Sequence, residues 1–161
     1  YTDWDGCNVP GNVVKNFIAT FFGPGPANGL SRKEKHLIKT IEAAVGPEAW
    51  RSGEFYIIGT FNDPNYQNDA IRHELSHAMW AMCDEYRTEQ LNHMNLLQLD
   101  LITHMFNWLN DSGYHQDVHD DELVAYLATS SMTQIGEQFV DGTFDAFPWD
   151  VIYKFQQTFL D

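Results

Sequence analysis

One pentapeptide, His73-Glu74-Leu75-Ser76-His77, commits its surroundings to a helix more firmly than any other stretch of the chain. Two histidines four residues apart share a helical face, about one turn from each other. At that spacing both imidazoles reach a single Zn²⁺ at about 2.0–2.1 Å. Glu74 follows the first histidine about 100° further round the helix. From there its carboxylate reaches a water polarised by the ion without ligating the ion itself, the position of a general base. The pattern also arises by chance, so its context decides its meaning.

That context is helical. A helix is expected over about 68–86, with Ile71, Leu75, Ala78 and Met82 as its core stripe and His73, His77, Trp80 and Asp84 on a different face. The strongest strand signal, Phe55 to Phe61, precedes it across the turn Asn62-Asp63-Pro64-Asn65. Before the strand, Val13–Phe22 reads as a short helix and Gly23-Pro24-Gly25-Pro26 as a loop. Ser31 and Glu34 form a capping box that opens a helix to about Val45. Its expected buried stripe is Leu37, Ile38, Ile41 and Ala44 or Val45, and Gly46-Pro47 ends it. Downstream, helices are expected over about 88–109 and 118–134, the latter extending as far as 139. Asp141-Gly142 is a turn, and a last helix starts near Pro148 and ends near Phe159. The expected fold is mainly α with a small β-sheet, in one domain spanning 1–161. Its aromatic C-terminal segment, Phe144 to Phe159 with Phe147, Trp149, Tyr153 and Phe155, either joins the core or covers a cleft.

Charge narrows the partners. The chain has 23 acidic and 9 basic residues, a net −14. Such a surface repels nucleic acid and anionic lipid, and no apolar run approaches the roughly 20 residues of a membrane span. A solvated surface is the main reading of this charge, which also mildly favours neutral or basic substrates. Cys7 and Cys83 permit one disulfide but no thiolate metal site, because neither belongs to a CxxC pair.

A catalytic zinc takes three protein ligands and leaves one position open. The extended motif HExxHxxGxxH fails, since Trp80 and Cys83 occupy its glycine and third-histidine slots. The helix is therefore expected to continue, with Cys83 as a small buried residue. The candidate third ligand is Glu122. It shares a face with Ala125, Tyr126 and Thr129, and Ala125 is small enough for close packing against the histidine helix. A carboxylate complementing the helix dipole is the alternative role for Glu122, and His119 is a competing ligand or substrate contact. Asp84 either accepts a hydrogen bond from a ligand imidazole or is merely solvated. Tyr126 heads the phenolic candidates for stabilising an oxyanion, ahead of Tyr114, Tyr86 and Tyr153. His36, His93, His104 and His115 are read as surface or satisfied core histidines.

His73-Glu74-x-x-His77 followed by Glu122 resembles the zincin metallopeptidases, in particular the gluzincin branch, over roughly residues 55 to 130. The Glu122-x-x-Ala125 pairing is similar to that of several small HExxH families. The resemblance implies a zinc-dependent hydrolase of peptide or protein substrates, with the strand at about 55–61 flanking the active-site helix and binding extended substrate by β-augmentation. Where larger gluzincins carry an aspartate four residues after the glutamate, this chain has Tyr126, so support for the histidines must come from elsewhere. Only about 30 residues follow the glutamate helix, in place of an extensive C-terminal subdomain. The alternative implied by the same residues is a zinc-binding protein that is latent or inactive.

Overall fold

The computed structural model of the chain describes residues 6–22, 29–60, 67–140 and 147–160. The turns expected at 23–26, 62–65 and 141–142 lie outside the described residues, as do Phe61 and Phe144. The fold is mainly helical with one small sheet. The chain divides into two units, Asn8–Gly59 and a larger one comprising Tyr1–Cys7 and Thr60–Asp161.

The smaller unit holds α1 (Gly11–Phe22) and α2 (Arg32–Ser52). It also holds most of the antiparallel pair β1 (Gly6–Pro10) and β2 (Tyr56–Thr60); Gly6, Cys7 and Thr60 belong to the larger unit. The Tyr56 hydroxyl donates to Asn8 Oδ1 at 2.7 Å, and Gly11 N–H donates to the Phe55 carbonyl at 2.8 Å. The Ser31–Glu34 capping box forms at the start of α2. Gly46 then leaves helical geometry (φ 79, ψ 168), Pro47 restarts the helix, and Gly53 in the left-handed region closes it. The expected stripe on α2 is not buried: no residue of this helix is, and Leu37 is 57% exposed. A two-stranded sheet and one short helix offer too little apolar surface within the unit to cover 21 residues of helix.

The larger unit is an assembly of α3 (Gln67–Met82), α4 (Asp84–Met94), α5 (Leu99–Asp111), α6 (His119–Thr129), α7 (Met132–Phe139) and α8 (Trp149–Leu160), with a short 3-10 turn at Gln116–Val118. Helix α6 is its axis, packing against α3, α5 and α8. Leu123, Val124, Ala125, Leu127 and Ala128 of α6 are fully buried. Helix α5 meets them with Leu101, Met105 and Leu109, spaced four residues apart. Ile135 and Phe139 of α7 and Ile152 and Phe155 of α8 complete the core; of the C-terminal aromatics Phe155 is buried and Phe147 packs against this core, whereas Trp149 and Tyr153 are exposed.

Four expectations for this unit are corrected. The long helices are each cut by a turn with no glycine or proline to announce it. Cys83 adopts extended geometry (φ −122, ψ 103), and its sulfur accepts from Tyr86 N–H, so α3 stops at Met82 instead of running on. Residues 95–98 separate α4 from α5, with Leu97 turned into the core. Ser130 ends α6, and Ser131 with Gln134 forms a second capping box that starts α7. Helix α3 is also rotated relative to its apolar stripe. Ile71, Leu75 and Met82 are 37%, 41% and 54% exposed, whereas Glu74, Ser76 and His77 are buried beside Ala78. The polar face can turn inward because hydrogen bonds await it: Ser76 bonds the Tyr86 hydroxyl at 2.8 Å, and His77 bonds Asp121.

Candidate metal centre

The inward face of α3 meets the N-terminal half of α6, where Ala125 is fully buried and lets the helices approach closely. His73, His77 and Glu122 converge there. The distances are 3.3 Å from His73 Nε2 to His77 Nε2, 3.6 Å from His73 Nε2 to Glu122 Oε2, and 3.7 Å from His77 Nε2 to Glu122 Oε2. A tetrahedral ion with bonds of about 2.0–2.1 Å spaces its ligand atoms by about 3.3–3.4 Å. The three donor atoms therefore trace one face of such a polyhedron, a few tenths of an ångström wide of ideal. Glu122 Oε2 is buried without a hydrogen-bond partner. An acceptor left in that state costs about 1–3 kcal/mol, more when charged, and a cation at the centre of the triangle would satisfy it.

The tautomer of His77 fits the same centre. Its Nδ1 lies 2.8 Å from Asp121 Oδ1. The carboxylate can only accept, so Nδ1 carries the hydrogen, and in the neutral ring the Nε2 lone pair faces His73 and Glu122. Burial opposes charge on His77. The Asp121 hydrogen bond and the charges of Asp121, Glu122 and Glu74 outweigh it, and the pKa of His77 is held above the usual histidine value. A carboxylate bonded to a ligand histidine fixes ring orientation, and its loss typically costs 10–100-fold in metal affinity. Asp121→Ala is expected to weaken zinc binding by about that factor while the fold persists; titration against a chromophoric chelator measures it.

Glu74 is 7% exposed. A Cβ at Gly6 would stand 2.6 Å from Glu74 Oε1, so the main chain at Gly6 lies directly against this carboxylate and a side chain there would push it aside. Tyr126 packs edge-on against His73, ring centres 4.8 Å apart, and its hydroxyl lies 3.0 Å from that of Tyr114. Burial pushes both phenols up, and the charges of Glu122 and Glu74 push further, so both remain protonated donors at neutral pH. A cleft of about 560 Å³ opens between Asp69 and Arg72 of α3, in the turn before His73, Thr129 of α6, and Tyr153 and Gln156 of α8; none of the three donor residues lines it.

The sequence candidates thus separate cleanly. His73, His77, Glu122, Glu74 and Tyr126 come together. Asp84 does not join them; it pairs with Arg87 and its side chain is 84% exposed. Asp121 takes the role considered for Asp84. His119 is not a ligand: its Nε2 faces the Tyr114 carbonyl at 3.2 Å. Tyr86 is tied to Ser76, and Tyr153 lines the neighbouring cleft. Cys7 and Cys83 are both free thiols. Sequence reasoning missed Asp121, Gly6 and the part played by Tyr114. Asp121 had a signal, its place next to Glu122 at the head of α6; Gly6 had none.

Comparison of the chain with protein-family models, with curated proteins and with solved structures finds no match.

Proposed function

We propose that this chain is a zinc-dependent hydrolase of peptide bonds. The observation that carries the reading is the triangle of His73 Nε2, His77 Nε2 and Glu122 Oε2, whose oxygen is buried and unpartnered, with Glu74 following His73 on the same helix. A zinc ion there would act as a Lewis acid on water and on the scissile carbonyl. Glu74 takes the proton of the attacking water and returns it to the leaving amine. Tyr126, protonated and packed on His73, donates to the carbonyl oxygen as negative charge develops on it. Asp121 keeps the His77 ring turned toward the centre. The neighbouring cleft, with hydroxyl and amide groups on its walls, has room for a stretch of peptide.

The burial of Glu74 under the main chain of Gly6 favours a second reading, a zinc protein held latent. One experiment separates the two. The chain is loaded with one equivalent of zinc and offered fluorescein-labelled casein. Cleavage that stops with 1,10-phenanthroline and returns with added zinc supports the hydrolase. Stoichiometric zinc uptake without cleavage assigns the latent reading, and no zinc uptake removes both.

A further inference from the structure

Two phenols meet beside the candidate metal centre, and hydrogen counting gives them a joint role. The oxygens of Tyr114 and Tyr126 are 3.0 Å apart, a hydrogen-bond distance that uses one of the two O–H groups. The other O–H is left to a third group. For Tyr126 to donate into the centre, Tyr114 must be the one that donates to Tyr126. Without that partner the Tyr126 O–H is free to take either of its two orientations in the plane of the ring.

Tyr114 is itself anchored by its backbone. Helix α5 ends at Asp111, and Gly113 takes φ 94, a left-handed turn that redirects the chain. Tyr114 N–H then donates to the Leu109 carbonyl at 3.0 Å, and the Tyr114 carbonyl accepts from His119 Nε2–H at 3.2 Å. His119 is buried and leans on Phe106. The Tyr126 ring is fixed independently, wedged edge-on between His73 and Trp108. Both ring and partner are therefore held by groups other than each other, which leaves only the direction of the hydroxyl hydrogen to be set by their bond.

We propose that Tyr114 is a positioning residue for the oxyanion donor: with its backbone held by Leu109 and His119, its hydroxyl turns the Tyr126 O–H toward the carbonyl oxygen of a bound peptide. This rests on the hydrolase reading and adds to it a residue that acts through Tyr126 alone.

The test is a double-mutant cycle on the zinc-loaded full chain. Its probe is an N-phosphoryl dipeptide, a tetrahedral oxyanion mimic, and binding is measured by calorimetry beside zinc content and thermal stability. Tyr126→Phe is expected to weaken the probe about 100-fold, the scale of a lost oxyanion donor. Tyr114→Phe should weaken it about 10-fold, with zinc content unchanged in both. The double variant should bind as Tyr126→Phe does, within about twofold, because Tyr114 has nothing left to orient. An unaltered affinity in Tyr114→Phe overturns the proposal, as do losses that multiply in the double variant. Should Tyr126→Phe or the double variant fail to fold, Tyr114→Phe is compared with the parent at matched zinc content, and should Tyr114→Phe fail, Tyr114→Leu takes its place; affinity equal to the parent's overturns the proposal. A parent chain that takes up zinc but does not bind the probe overturns the hydrolase reading itself, a result separate from any difference among the variants.

Discussion

Glu74→Gln is expected to keep about one zinc per chain and to lose hydrolysis by about 10²–10⁴-fold, the usual contribution of a positioned general base. The two halves of this outcome depend on different geometry. Zinc retention follows because the donor triangle is made by His73, His77 and Glu122, and Glu74 is not one of its corners. Loss of turnover follows because glutamine keeps the shape of the side chain under Gly6 but cannot accept the proton of water. Zinc analysis and casein cleavage on the same preparation check both halves. Equal turnover in Glu74→Gln and the parent would remove Glu74 from the mechanism and leave the site intact.

The double substitution His73→Ala with His77→Ala is expected to abolish stoichiometric zinc binding and the stabilisation that accompanies it. An ion that binds only the folded chain contributes RT ln(1 + [L]/Kd), about 4 kcal/mol at a thousandfold excess over Kd. For a domain of this size that is a rise in melting temperature on the order of 10 °C. The parent should show this rise when zinc is added, and the double variant should not. Zinc-free, the variant also loses the His77–Asp121 bond and a buried imidazole, so its starting stability is lower than the parent's. The informative quantity is therefore the shift on adding zinc, not the absolute melting temperature. An undiminished shift in the variant places the zinc elsewhere on this acidic surface.

The site was more legible in the sequence than the helix boundaries that hold it. His73, Glu74 and His77 are read from spacing alone, because helical geometry fixes where residues four apart must lie. Glu122 and Ala125 follow from the same rule applied to a second helix. The helix ends were harder. Cys83 closes α3 and caps α4 through its sulfur, a role its residue type does not advertise. Ser130 and Ser131 split one expected helix into α6 and α7, although the Ser131–Gln134 capping box is visible in hindsight. The rotation of α3 was hidden for a different reason. Periodicity finds the apolar stripe Ile71–Leu75–Met82, but a helix buries its polar face when hydrogen-bonding and charged partners are supplied by other elements. Those partners, Asp121, Tyr86 and Glu122, lie 44, 10 and 45 residues from His77, Ser76 and His77 respectively. Gly6 shows the limit of single-sequence reading: its meaning lies wholly in a carboxylate 68 positions away, and no local pattern marks it.

The most direct test is a crystal structure of the zinc-loaded chain with anomalous data collected across the zinc edge. The expected result is a single strong peak within about 2.0–2.2 Å of His73 Nε2, His77 Nε2 and a Glu122 carboxylate oxygen, with the fourth position facing Glu74. A peak bound by other residues, or well-ordered His73 and His77 rings turned away from each other in the presence of zinc, would contradict the assignment.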